Sequence, residues 1–263
     1  MNDEPLAADA PVAPRVRTVP LTAPFAWIAR GWRDFARTPV PSLLHGLIAA
    51  FGGTLVLVFA RDRFYLVSGA FSGFVLVAPV LVTGLYELSR RLASGEVPTL
   101  HHAIAAWKRT GGALLGFGLL LAVVGSFWVL VSSVLIALFV QAPITGFDDF
   151  IRYVVLSQDS NLFMVWMALG GIVAALVFAA SAVSVPMLLD RDVDLPTAIV
   201  TSVQAVGANP LPMALWATLI MVATTFGIGT VLMGLILVVP VLGHATWHAY
   251  VDLVDASRLP PRR

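Results

Sequence analysis

Thr38-Pro39-Val40-Pro41 leads one apolar run of the chain and Asn209-Pro210-Leu211-Pro212 leads another, while Val77-Ala78-Pro79-Val80-Leu81 recurs as Val238-Val239-Pro240-Val241-Leu242. Internal repetition fixes an architecture before any single residue does. Around these motifs the chain reads as three copies of one unit, each an interfacial helix followed by a hairpin of two membrane spans. The expected units cover about 21–92, 97–190 and 195–253 within a single membrane domain, 21–255. The fold expected is therefore all-α, with six transmembrane helices.

Composition agrees with a chain solvated by lipid. Hydrophobic residues make up 59% of the 263, charged residues 12%, and mean hydropathy is +0.90, outside the range of soluble domains. Between Arg37 and Arg61, and again between Arg63 and Glu87, 23 residues carry no charge, and about 20 suffice to cross a hydrocarbon core. Longer uncharged runs extend over Thr110 to Phe147, Ser160 to Leu189 and Leu195 to Val251. The last holds two spans with a turn near Gly227-Ile228-Gly229, and the first leaves a re-entrant segment open. Backbone polar groups in lipid must be satisfied within the segment, so these runs read as helices.

The interfacial helices show in the pattern of faces. Phe25, Ile28, Trp32 and Phe35 recur at helical spacing, with Arg30, Arg33, Asp34 and Arg37 on the remaining surface. Leu100, Ala103, Ile104 and Trp107 form the second face, and Ile199, Val203 and Val206 the third, opposite Ser202 and Gln204. Proline or glycine then breaks each helix, at Pro39 and Pro41, Gly111-Gly112, or Pro210 and Pro212, so that the chain can turn from lying flat to crossing. A fourth amphipathic stretch, Thr145 to Leu156, opens with a capping box and presents Phe147, Phe150, Ile151 and Val154 on one face. Gly69 with Gly73, and Gly112 with Gly116, are spaced for close helix approach.

Charge placement predicts the orientation. With both termini cytoplasmic, six spans put 13 of the 16 basic residues inside and leave only Arg61, Arg63 and Arg152 outside, where Asp148, Asp149 and Asp159 lie. Residues 1–20, rich in Ala and Pro, read as a disordered tail without the apolar core of a signal peptide, and 256–263 as a short second tail. Cysteine is absent, which removes disulfides and thiolate metal sites.

Aligning Pro79, Pro186 and Pro240 brings Thr83, Asp190 and His244 to equivalent positions, with Glu87, Asp194 and His248 four residues on. Residues four apart on a helix share a face, so His244 and His248 could present two imidazoles together, as metal-binding helices do. With Glu87, Asp190, Asp194, His45 and Thr83 they form a candidate polar pocket at the cytoplasmic side. Polar groups at span ends also sit commonly in headgroups or bond to neighbouring helices. Asp190-Arg191-Asp192-Val193-Asp194 alternates like a calcium loop but lacks its Gly and terminal Glu. HExxH, a phosphate loop and GxSxG are all missing. No cofactor is required by the sequence, and nothing in it points to nucleic acid. The bilayer is the expected partner, and membrane-protein partners remain open.

The chain resembles a bacterial family of integral membrane proteins known as domain of unknown function 2189. Val16-Arg17-Thr18-Val19-Pro20-Leu21, Gly31-Trp32-Arg33-Asp34, Gly84-Leu85-Tyr86-Glu87-Leu88-Ser89-Arg90, Pro186-Met187-Leu188-Leu189-Asp190-Arg191-Asp192-Val193-Asp194 and Gly243-His244-Ala245-Thr246-Trp247-His248-Ala249-Tyr250 carry the likeness, over about 15–255. It implies a bacterial inner-membrane location and no established activity. Labels among relatives that invoke cytochrome oxidase subunit I do not suit this chain, since a haem-copper centre needs more intramembrane histidines than His45, His244 and His248 provide. The expected function is that of a non-enzymatic membrane organiser, partner subunit or small transporter-like bundle. The alternative is a membrane-embedded metal protein or enzyme using the His and acidic cluster.

Overall fold

Helices α1 (Ala23–Arg37) and α2 (Pro39–Ala60) meet at Thr38, and this corner shows how the chain passes from a flat helix to a span. A computed structural model of the protein describes residues 14–60, 81–108, 111–144, 146–157 and 161–262, with only the backbone at 59, 60 and 147. Thr38 ends α1 at φ −131 and ψ 54, its hydroxyl donating to the Asp34 carbonyl four residues back (2.9 Å). Pro39 then starts α2 where a missing N–H costs nothing.

The same corner recurs between α9 (Leu195–Ala208) and α10 (Pro210–Gly229). Asn209 takes φ −131 and ψ 52, and its side-chain amide donates to the Ala205 carbonyl, again four residues back (2.9 Å). Between them lie α3 (81–93), α4 (Leu100–Lys108), α5 (Gly112–Phe139), α6 (Phe147–Phe150) with a π-helical turn (Ile151–Val155), α7 (Leu162–Ser181) and α8 (Ser184–Asp190); α11 (Leu235–Leu253) closes the order. Among the described residues four helices are long and apolar enough to cross a membrane: Pro39–Val58, Gly112–Phe139, Leu162–Asp190 and Pro210–Gly229. Of the uncharged run ending before Glu87, only α3 falls within the described residues; Pro79, Gly69 and Gly73 lie outside them.

Helix α11 is the hub of one half of the bundle, packing on α1, α2 and α10. Close backbone approach explains how. A β-carbon added at Gly31 of α1 would sit 2.7 Å from the Ala245 nitrogen, and one at Gly46 of α2 would sit 2.1 Å from the Ile236 carbonyl oxygen. Helices in lipid associate by such packing rather than by excluding water. The glycines singled out by spacing do less: Gly112 faces open space and Gly116 meets Leu195 only at ordinary contact distance. The turn before α11 falls at 230–234, directly after Gly227-Ile228-Gly229, and Gly227 allows close approach, an added β-carbon there meeting Leu235 at 2.6 Å. Thr230 bridges the turn, donating to the Gly227 carbonyl and accepting from the Gly234 N–H.

The second span on the α7 side breaks at Ala182-Val183 and resumes as α8. Pro186 cannot complete the helix there, and Ser202 of α9 supplies the missing partners. Its hydroxyl donates to the Ala179 carbonyl (2.6 Å) and accepts from the Val183 N–H (3.2 Å), the kind of repair that lets proline sit in lipid-embedded helices. The face expected for α9 is divided. Ala198, Thr201, Ser202 and Ala205 are buried and Ile199 and Val206 pack partly buried against the core, while Val200, Val203 and Gln204 point outward. Facing a lipid environment, an interfacial helix can turn small polar groups inward and leave part of its aliphatic face outside.

Residues 14–20, assigned to the tail by composition, run along the bundle. Strand β1 (Arg15–Val16) pairs antiparallel with β2 (Val254–Asp255), and Asn209 holds the strap by accepting from the Val19 N–H (2.8 Å) and donating to the Arg17 carbonyl (2.9 Å). At the other end Arg262 donates from its backbone to the Asp190 carbonyl and Asp192 donates to that of Pro260. Residues 14–20 and 254–262 therefore both lie beside the C-terminal ends of α8 and α11.

Candidate functional site

The site forms where α1, α2, α3 and α11 converge. Turns of α11 place His244, His248 and Asp252 on one face, four residues apart. Opposite, α1 presents Trp27, Gly31 and Asp34, all buried. Gly31 lets the two backbones touch, so the side chains on either side of it mesh. Trp27 donates from its indole to the Asp252 carboxylate (2.8 Å), and Arg30 pairs with the same group.

Asp34 is the centre of the cluster. Its Oδ2 accepts from the Ser89 hydroxyl of α3 (2.7 Å) and contacts His248 Nε2 (2.8 Å). Ser89 Oγ in turn meets His244 Nδ1 at 2.7 Å, and His244 Nε2 meets Ser42 Oγ of α2 at 2.9 Å. Ser42 contacts Thr38 (3.0 Å), whose hydroxyl returns to the Asp34 carbonyl. Thr38, Ser42, Ser89 and His244 are all buried. Burial opposes a charge on Asp34, yet the hydrogen bonds from His248 and Ser89 and the neighbouring imidazoles hold its carboxyl below the ordinary value.

A cleft of about 200 Å³ opens onto this cluster, lined by Arg30, Arg33, Arg37, Asp34, Ser89 and His248. It reaches the Asp34 end and leaves Ser42 sealed. That matters for chemistry, because Ser42, His244 and, through Ser89, Asp34 follow the order of a hydrolytic triad. A nucleophile needs room for the carbonyl it attacks and donors for the oxyanion. Ser42 has no exposed surface and is engaged by Thr38.

Of the residues expected to form the pocket, His244 and His248 do come together, joined by Asp34, Ser89, Ser42 and Thr38 rather than by the other expected partners. Glu87 is buried on α3 but engaged by Arg90 (2.9 Å) and Arg91 (2.7 Å). His45 donates from Nδ1 to the Pro41 carbonyl (2.7 Å) and packs edge-on to Trp107; its Nε2 lies so near Gly84 that an added β-carbon there would be 2.3 Å away. Thr83 is buried on α3. Asp190 is elsewhere, accepting from the Tyr250 hydroxyl (2.9 Å) and pairing with Arg191. Asp194 caps α9 by accepting from the Thr197 N–H (2.9 Å), and hydrogen bonds from the Thr197 side chain and then its backbone hold the carboxyl below the ordinary value. Among the described residues no group of three or more His, Asp and Glu is arranged to hold a metal ion.

Asp34, Ser89, Ser42 and Thr38 escaped the sequence reading. By spacing, Asp34 falls with Arg30, Arg33 and Arg37 on the surface that the apolar face of its helix leaves. The signal that identifies it is its spacing from Trp27 and Gly31, which puts all three on one face. Single serines within apolar runs carry no such signal.

These features define an all-α integral membrane protein with a buried polar cluster at one end of its bundle. Residues 66–190 match the family described as predicted integral membrane protein, DUF2189, the family the sequence resembles; the stretches Gly84 to Arg90 and Pro186 to Asp190 fall inside that match. Comparison with curated proteins and with solved structures gave no match.

Proposed function

We propose that this is a non-enzymatic organiser or partner subunit of the bacterial inner membrane, built from three units with six spans and with both termini cytoplasmic. One observation carries the reading. The ionisable groups that could do chemistry are committed to one another, and in that state they fasten α1 and α2 to α3 and α11. The matching corners at Thr38 and Asn209, with near-identical backbone angles, support the repeat. Pairing of β1 with β2 supports a common side for the termini, and the basic residues favour the cytoplasm.

An outward apolar groove of about 460 Å³ between α5 and α7, lined by Val124, Trp128, Gly170 and Phe178 among others, supports a partner role. The cleft at Asp34 favours a second reading, a small transporter-like bundle, because ionisable groups within membrane bundles commonly mark ion or substrate paths.

Complementation separates the two. In a deletion strain under membrane stress, Ser42→Ala and Asp34→Asn variants should restore growth in proportion to the folded protein present. A variant that accumulates to the native level and fails to restore growth would overturn the organiser reading. Reporters inserted between Gln141 and Ser160 and placed after Arg263 should report opposite sides; same-side signals would overturn the six-span topology.

A further inference from the structure

The hydrogen bonds at Asp34 close on themselves. Starting from its carboxylate they pass through Ser89, His244, Ser42 and Thr38, and end on its own backbone carbonyl. Each of the five links needs one proton. With Asp34 ionised and His244 neutral, the three hydroxyls and one ring N–H supply four. One link must then be empty. Ser89 commits its proton to the carboxylate, the strongest acceptor present, so His244 carries its proton on Nδ1 and leaves Nε2 bare to accept from Ser42. Thr38 and Ser42 then lack the proton for one of their contacts.

A single added proton completes the ring in two equivalent ways. On His244 it gives an imidazolium that donates to Ser89 and to Ser42, while Ser42 donates to Thr38 and Thr38 to the Asp34 carbonyl. On Asp34 it lets the carboxyl donate to Ser89 and Ser89 donate to Nδ1, with the ring proton now on Nε2. The two forms interchange when the protons of the Asp34–Ser89 and Ser89–His244 links shift together, with no change in composition. We propose that this ring is a proton-binding site, loaded from the cleft, that holds one proton between Asp34 and His244 through Ser89. Because the chain of bonds returns to Asp34, whose carboxylate also meets His248 at the cleft, it stores a proton and returns it to the cleft. This goes beyond the organiser reading and holds independently of it.

Charged neighbours shape the site from each side. From α1, Arg30, Arg33 and Arg37 line the cleft, Arg30 being paired with Asp252 of α11. His248 of α11 faces Asp34 directly, His45 lies on α2, and Glu87 on α3 is held by Arg90 and Arg91. The three arginines at the mouth oppose loading, while the Asp34 carboxylate draws the proton in.

Both loaded forms share one mark, a proton on His244 Nε2. Ring nitrogen resonances of the full chain, ¹⁵N-labelled at histidine in lipid nanodiscs, read this directly. The His244 signal is assigned by its loss in His244→Gln and by its persistence when His101 and His102 are replaced. On lowering the pH from about 8 to about 3, through the carboxylate range, Nε2 should change from a bare nitrogen to an N–H, one proton per chain. In Asp34→Asn the carboxamide donates to Ser89 as the protonated acid would, so Nε2 should carry its proton throughout. An Nε2 that keeps one state over the whole range in the native protein would overturn the proposal, as would an Asp34→Asn variant that switches as the native protein does.

Discussion

Replacing Asp34 with alanine removes the group on which the cluster converges. Two charge-assisted hydrogen bonds go, from Ser89 at 2.7 Å and from His248 at 2.8 Å, each worth about 1.5–3 kcal/mol. The Ser89 hydroxyl and the His244 ring behind it stay buried, so their desolvation is no longer offset. Leaving a buried donor without its acceptor typically costs about 1–3 kcal/mol, so with two donors stranded a loss of about 2–6 kcal/mol is expected here. It is read by reversible denaturant unfolding in mixed micelles, alongside Asp192→Ala, an exposed carboxylate whose loss should change stability by under about 0.5 kcal/mol. A pH series adds the sign. The folded state holds the Asp34 carboxyl below its ordinary value, so its stabilisation is complete above the unfolded carboxylate range and is lost as pH falls through the lower folded value, below about pH 4. An Asp34→Ala variant within about 0.5 kcal/mol of the Asp192→Ala control at neutral pH would refute the reasoning.

Two further outcomes follow from packing. Gly46→Ala drives a β-carbon to within 2.1 Å of the Ile236 carbonyl oxygen and should destabilise by about 1–3 kcal/mol, whereas Gly52→Ala, which meets nothing within 4 Å, should gain up to about 1 kcal/mol of helix propensity in the same unfolding assay. Asn209→Ala leaves the Val19 N–H and the Arg17 carbonyl without their partners and should free the β1 strap, seen as faster proteolysis between Arg15 and Leu21 with the bundle intact.

The spans were legible because their signal is local: an uncharged run long enough to cross lipid declares itself, and α2, α5, the α7–α8 segment and α10 lie where such runs predict. The corners were legible for the same reason, since Pro39 and Pro210 act on the residues beside them. Half of the site was equally plain, because His244 and His248 are related by one helical turn. Its other half was hidden by distance along the chain. Asp34 meets His248 across 214 positions and Ser42 meets His244 across 202. Asp34 also stands between arginines in an amphipathic helix whose large apolar residues, Phe25 and Trp32, point outward. On α9 Ser202 likewise stands opposite the aliphatic face, where nothing local separates a polar group that bonds to a neighbouring helix from one that faces water.

The account holds that Asp34, Ser89, His244, Ser42 and Thr38 act as one unit, and a double-mutant cycle between Asp34→Ala and Ser42→Ala tests this most directly. The two side chains share no contact and communicate only through Ser89 and His244 or through Thr38. Independent sites add to within about 0.3–0.5 kcal/mol. A coupling above about 1 kcal/mol in unfolding free energy is the predicted result, and strict additivity would contradict the account.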